Sequence, residues 1–261
     1  MSETEIFSRL TQLLNEGKEA VLCTLIEKKG SGPRDEGAKM LVKPDGKTFG
    51  TIGGGDMERK LVQEALEAMK EGRPRSLTFT MGLEPKRGAI AVDSICGGEV
   101  KIFLDVVKPH PRLIVIGSGN IAMPLAQLAH KTGFEILVVD DAKTATRERF
   151  PMASEILTGP FEEELEHLDV KPSDYVSIVY GETKYELAAL RTMLKRKPIY
   201  IGLLGSRNKA AQHRRQLLAE GFSKEELEAI CAPIGLDIRA QTPEEIAVSI
   251  VAELIKTRRD A

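Results

Sequence analysis

The stretch VIGSGNIAMPLAQLAHKTGFEILVVDD, residues 115–141, limits the fold of this chain more than any other part of it. An apolar run, RLIVIG (112–117), stops at a glycine, an apolar stripe at helical spacing follows, and a second apolar run, EILVVD (135–140), ends on an acid. That order reads as strand, tight turn, helix and a second strand parallel to the first. Gly117, Gly119 and Ala122 fall on the G-x-G-x-x-G/A positions of the turn. There the first glycine makes the bend, the second lets a phosphate reach the backbone, and the small third residue lets helix and strand pack. Asp140, 23 residues after Gly117, is placed to accept hydrogen bonds from a ribose diol.

The remainder of the second half repeats the alternation. Strands are predicted at EIL (155–157), DYVSIVY (174–180) and IYIGLLG (199–205), with helices between them. The last helix opens at TPEE, with Thr242 as cap, Pro243 in the first turn and Glu245 closing a capping box. Such alternation predicts an α/β domain built on a doubly wound, Rossmann-like parallel sheet. Ligands of these sheets bind off the carboxyl ends of the strands, which directs attention to the loops TGP (158–160), YGETK (180–184) and GSRNK (205–209). In the last of these, Gly205, Ser206, Arg207 and Lys209 suit an anion at a helix N-terminus, or else Ser206 simply caps the helix with Arg207 in solvent.

The first half is organised differently. Residues 2–16 predict an amphipathic helix with a Ser2–Glu5 capping box, AVLCTLI (20–26) a strand, and KMLVKPDGKTFGTI (39–52) a hairpin turning at Asp45-Gly46. A helix is predicted from Asp56 to Lys70 on the spacing of Met57, Leu61, Ala65 and Met69, and a half-buried strand over 99–107. KPHP (108–111) breaks regular structure and sets the expected boundary, giving an N-terminal α/β domain over 1–108 and the Rossmann-like domain over 109–261.

Three consecutive glycines, Gly53, Gly54 and Gly55, lead straight into the helix at Asp56. A capped turn needs one glycine, whereas successive unblocked amides make an anion cradle. A second glycine-rich loop, GSGPRDEGAKM (30–40), carries Arg34, whose guanidinium suits a bidentate phosphate contact. Cys96, in SICGGEV, reads as a redox thiol, a soft-metal ligand, or a small residue that fits.

Composition removes several classes of function. The formal charge of −2 is spread evenly over the chain, so neither half has the basic excess of a nucleic-acid or membrane-surface binder. No apolar run approaches the roughly 18 residues of a membrane span and no signal segment opens the chain, so a cytoplasmic protein is expected. The three cysteines, Cys23, Cys96 and Cys231, are too widely spaced for a disulfide framework or a paired-cysteine metal site. His110, His130, His167 and His213 show no metal-ligand spacing, and no Ser-His-Asp set is present.

Taken together, GSGPRDEGAKMLV, DGKTFGTIGGGDMERKLVQEA, CGGEVKIFLD, the glycine turn, YIGLLGSRNK and APIGLDIRAQTPEEIAVSIVAELI resemble the xanthine dehydrogenase accessory factor family, XdhC/CoxI, in order and over nearly the whole chain. The resemblance implies a dedicated chaperone with an N-terminal family domain and a C-terminal Rossmann-like domain, in a homodimer. Such a chaperone binds the molybdenum cofactor (molybdopterin), protects it while a cysteine desulfurase exchanges an oxo group for sulfur, and delivers it to a xanthine dehydrogenase-type molybdenum hydroxylase. It further implies that Gly53, Gly54, Gly55 and Arg34 hold the cofactor's phosphate, with Asp56 beside them, and that Cys96 faces the metal.

The chain departs from the family pattern at several positions. Asp56 stands where relatives often carry cysteine, Asn120 and Cys231 stand where they commonly carry histidine, and YGETKYE replaces a Thr-His-Asp-His-like stretch. These departures mark a divergent member, with Asn120 kept as a cofactor-binding position in the glycine turn. The rival reading is an enzyme that binds NAD(P) or another nucleotide on the Rossmann domain.

Overall fold

Val21, Cys23 and Leu25 of β1 (Ala20–Gly30) face one side of a sheet, and Ala20 and Leu22 the other. The protein is described here as a computed structural model covering residues 2–82, 88–93, 97–141 and 143–260. A helix lies on each side of that sheet. α1 (Glu3–Asn15) opens with the expected Ser2–Glu5 capping box and buries Ile6, Leu10 and Leu13 against Ala20 and Leu41. α2 (Gly55–Glu71) buries Met57, Leu61, Ala65 and Met69 against the opposite face, each large side chain contributing about 1.5–3 kcal/mol.

The sheet between them has six strands. β2 (Lys39–Val42) and β3 (Thr48–Gly50) form the hairpin read from Asp45-Gly46, with Met40 opposite Gly50. β4 (Arg75–Met81) and β5 (Ala89–Val92) pair in parallel. β6 (Gly98–Val107) lies antiparallel to both β1 and β4, so the order is β3-β2-β1-β6-β4-β5. The chain separates into two compact units, Met1–Pro109 and His110–Ala261.

The second unit is the expected doubly wound sheet. Its strands are β7 (Arg112–Ile116), β8 (Glu135–Val139), β9 (Glu155–Leu157), β10 (Tyr175–Ile178), β11 (Tyr200–Leu203) and β12 (Ile230–Cys231). They run in the order β12-β11-β10-β7-β8-β9, and every pairing is parallel. Period-two alternation sends Leu113, Val115, Ile136 and Val138 to the face covered by α3 (Ala122–Lys131) and α8 (Pro243–Asp260). Ile114, Ile116, Leu137 and Val139 go to the other face, covered by α4 (Phe161–His167), α5 (Thr183–Arg196) and α6 (Arg207–Ala219), with α7 (Lys224–Glu228) before β12. The winding reverses between β7 and β10, and the crevice outside the carboxyl ends of those two strands is the expected ligand position of such a sheet. Among the described residues no helix is long and apolar enough to cross a membrane.

Candidate functional site

The turn after β7 sits in that crevice, and its two glycines serve different needs. Gly117, at φ +107°, donates its amide to Val139 O at 2.9 Å, and a Cβ there would lie 2.8 Å from Tyr180 Cα. Its bareness therefore lets β7 and the end of β10 approach each other. Gly119 is exposed, and a Cβ built on it meets nothing within 4 Å. This is the open approach to the backbone that a phosphate requires, and the neighbouring Asn120 is also exposed.

Asp140 occupies its expected place at the end of β8 but turns inward. It is 4% exposed, and its Oδ2 accepts from both the amide and the hydroxyl of Ser118 at 2.6 Å. The Ser118 hydroxyl also lies 2.6 Å from that of Thr144. The carboxylate read as a ribose acceptor thus holds the glycine turn in shape. Beside it the Tyr180 hydroxyl donates to Asp141 Oδ1 at 2.6 Å, and the Tyr180 ring stacks on Tyr185 and packs edge-on to Phe161. Burial, then the Asp141 and Asp140 carboxylates, push this phenol well above its ordinary pKa, so it stays a donor.

Ser206 caps α6 through the Lys209 amide at 3.2 Å, the second of the two readings of GSRNK, while Arg207 beyond it is exposed and Gly205 half-buried. Lys209, read with that loop as a cation for an anion, is instead held by Glu186, in a cluster whose other members the sequence does not reveal. Glu186, 0% exposed, accepts from Lys209 Nζ at 2.6 Å and from the Gly181 amide at 3.2 Å on one oxygen. Its other oxygen is 3.0 Å from His213 Nε2, and neither atom has another partner among the described residues. His213 Nδ1 lies 2.8 Å from the Lys209 carbonyl, which can only accept, so Nδ1 carries a hydrogen. The sequence signal was slight: His213 follows Lys209 by one helical turn, and Glu186 sits just after the YGETK loop.

In the first unit the triple glycine wraps a carboxylate belonging to the chain itself. The amides of Ile52, Gly53 and Gly54 donate to Glu58 Oε1 at 2.9, 3.2 and 2.9 Å, and the Thr51 hydroxyl donates to the same atom at 2.6 Å. Burial alone would raise the Glu58 carboxyl, but these donors outweigh it and hold the group below its ordinary value. A ligand phosphate could use the Gly53 and Gly54 amides only by displacing Glu58. Gly53 must be bare because a Cβ would fall 2.2 Å from the Pro33 ring, whereas Gly54 and Gly55 face open space and serve through their positive φ of 82° and 66°.

Asp56, where the helix was expected to begin, does not cap α2. Gly54 is the N-cap residue, and Asp56 lies inside the first turn, where it pairs with Lys60 at 2.9 Å and with Arg59, and accepts the Asp93 amide at 3.2 Å. Lys60, then Arg59 and that amide, hold its carboxyl far below the ordinary value. Arg34 is exposed and directly follows Pro33, the residue packed against Gly53. The SICGGEV stretch is joined to the loop beginning at Ser31, whose hydroxyl donates to Gly97 O at 2.7 Å. Cys96 itself lies outside the described residues. Among the described residues no group of His, Cys, Asp and Glu could hold a metal ion.

Residues 113–254 match a family model described as the XdhC Rossmann domain, and residues 13–80 match one described as the XdhC and CoxI family. The chain is 36% identical over 258 residues to YqeB of Escherichia coli, an uncharacterized protein; the match takes in 98% of this chain and 47% of YqeB, about half that relative's length. It is 26% identical to the molybdenum cofactor insertion chaperone PaoD of the same organism, over 95% of this chain and 86% of PaoD. A crystal structure from Bacillus halodurans, described as a xanthine dehydrogenase, superposes with a TM-score of 0.53 at 25% identity, covering 100% of this chain and 96% of that one.

Proposed function

Because the chain belongs to the XdhC and CoxI family, we propose that it is an accessory protein that binds the molybdenum cofactor and hands it to a molybdenum hydroxylase of the xanthine dehydrogenase type. The observation that carries this reading is the likeness to PaoD across 95% of the chain, which takes in both units. In finer detail, we propose that the chain shelters the cofactor while a cysteine desulfurase renews its sulfur, and that it works in the cytoplasm as a homodimer.

The residues present suit the organic end of such a cofactor better than its metal end. For the phosphate, the exposed Arg34 and the open backbone at Gly119 are available, and the Gly53 and Gly54 amides become so when Glu58 moves aside. For the metal, Cys23 is a poor ligand: it is fully buried, with its thiol pushed up to about 12 by burial. Cys231 is half-buried, and burial and Glu253 raise its thiol too. Cys96 is therefore the soft ligand of this proposal. The cofactor supplies oxygen-atom and sulfur chemistry once it reaches the hydroxylase, and this chain's part is to bind, orient and shield it.

A second reading draws on the Rossmann strand order and the open side of Gly119: a nucleotide-dependent oxidoreductase binding NAD(P) or a related nucleotide at the glycine turn. One preparation tests both. The chain, purified after co-expression with the cofactor pathway, should carry molybdenum by mass spectrometry and a fluorescent oxidised pterin, and should raise the activity of a cofactor-free hydroxylase. Absence of both the bound metal and the activation would overturn the accessory reading. Steady nicotinamide turnover by the isolated chain would establish the enzyme reading instead.

A further inference from the structure

Two charged side chains reach the glycine turn after β7: Asp140 through Ser118, and Arg149 through the carbonyl of Gly119. Dinucleotide-binding sheets that take an unphosphorylated ribose present an acid at the end of the second strand, and those that take a 2′-phosphorylated ribose place an arginine near it. Here the acid is engaged inside. Asp140 is 4% exposed, and its Oδ2 accepts from the Ser118 amide and hydroxyl, both at 2.6 Å. The next acid, Asp141, receives the Tyr180 hydroxyl at 2.6 Å.

The cation is held in place from behind. Arg149 is half-buried, and its Nη2 donates to Gly119 O at 3.0 Å. It belongs to the segment that leaves β8 and folds back onto the turn, a segment fixed at both ends. The Thr144 hydroxyl lies 2.6 Å from that of Ser118, and Phe150, 0% exposed, sits in the core with Leu113 and Ile136. Between them the Phe150 amide donates to Thr146 O at 2.9 Å and the Arg149 amide to the Thr146 hydroxyl at 3.3 Å. The Arg149 guanidinium lies 5.8 Å from the Phe150 ring centroid. An arginine anchored in this way loses less freedom when it grips a ligand. Gly119 is exposed, and a Cβ on it would meet nothing within 4 Å, so a ligand can lie against the turn where Arg149 reaches it. Residues 143–149 carry Lys143, Arg147 and Arg149 against one acid, Glu148, so the segment beside the turn is positive.

We propose that the glycine turn selects a nucleotide whose ribose bears a 2′-phosphate, as in NADP rather than NAD, and that Arg149 is the specificity-determining residue. Its guanidinium fork takes two oxygens of the 2′-phosphate, a charge-assisted pair that a hydroxyl cannot match. Asp140, committed to Ser118, does not offer the diol of an unphosphorylated ribose its usual acceptor. Discrimination thus comes from an attraction gained and an acceptor withdrawn. Arg149 acts in this way only if the turn binds a nucleotide, the second reading above, on which this proposal rests; it does not require that the chain turn the nucleotide over.

Calorimetry on the full chain tests it with adenosine 5′-monophosphate, adenosine 2′,5′-bisphosphate and adenosine 3′,5′-bisphosphate, the last equal to the second in charge but not in the place of its phosphate. The 2′,5′-bisphosphate should bind about ten-fold or more tightly than either of the others. Arg149→Ala should erase that advantage. Arg149→Lys, which keeps the charge without the fork, should retain part of it. Thermal melting checks that both variants fold. Similar affinity of the wild type for the two bisphosphates, or an undiminished 2′ preference in a folded Arg149→Ala, would overturn this proposal and leave the nucleotide reading standing. No heat from any of the three compounds would overturn both.

Discussion

Glu58 Oε1 lies 2.9 Å from the amide nitrogen of Gly54, four residues back along the chain, and so fills the cradle that three successive glycines create. An internal carboxylate here takes the part that a bound phosphate plays in other glycine-rich turns. Glu58→Ala would strand the Ile52 and Gly54 amides and leave that of Gly53 only the Thr51 hydroxyl at 3.2 Å, for a loss of about 1–3 kcal/mol in urea unfolding of the first unit's signal. The same variant should gain affinity for phosphate by calorimetry, because the amides are then free. No gain would show that the turn is structural only.

The Glu58 carboxyl is held below its ordinary value of 4.5 in the folded chain. Its contribution is complete above that value and is lost as pH falls through the lower folded value. Unfolding curves of wild type and Glu58→Gln should therefore stand a constant distance apart above about pH 4.5 and converge as pH drops below it. A gap that stays constant from pH 7 to 3 would contradict this.

The fingerprint glycines should respond in opposite ways. Gly117→Ala forces a Cβ to 2.8 Å from Tyr180 Cα at a positive φ, and should cost roughly 2–3 kcal/mol in thermal unfolding. Gly119→Val meets no Cβ contact, and should stay within about 0.5 kcal/mol of wild type while removing nucleotide or phosphate binding at the turn.

Removing the shared carboxylate of the buried cluster is the severest of these changes. Glu186→Ala leaves Lys209 and His213 without their partner and should cost roughly 3–5 kcal/mol in chemical denaturation. Glu186→Gln, which keeps the shape and can still accept from Lys209, should recover part of the loss.

Thiol labelling gives an independent check on the ligand assignment. With its thiol pushed up to about 12, Cys23 should resist iodoacetamide at pH 8 in the native chain and react once urea is added. Peptide mapping reads both states.

Features that depend on near neighbours could be read from the sequence. The Ser2–Glu5 and Thr242–Glu245 capping boxes, the Asp45-Gly46 hairpin and the strand-glycine-helix turn each lie within a few residues, and each forms as its spacing demands. β4 and β5 escaped notice because RSLTFTM buries only its last three residues and so shows no clean alternation. Asp140 was found in its place, but its inward turn depends on Ser118 and Thr144, and periodicity is silent on side-chain partners. The Glu186–His213 contact joins two helices 27 residues apart in sequence, a pairing that only the packed sheet determines.

The central position of β6 bears on how the first unit comes off the ribosome. β3, β2 and β1 are contiguous in the sheet, as are β4 and β5, but the two pieces share no edge until β6 enters between β1 and β4. Its pairing brings Ala20 opposite Val107, from one end of the unit to the other. A nascent chain that stops short of Val107 therefore exposes the unfinished flanks of β1 and β4, each a template for association with another chain. Closure waits on the last strand to be made, and a ribosome stalled before β6 leaves a species for chaperones or proteases to clear.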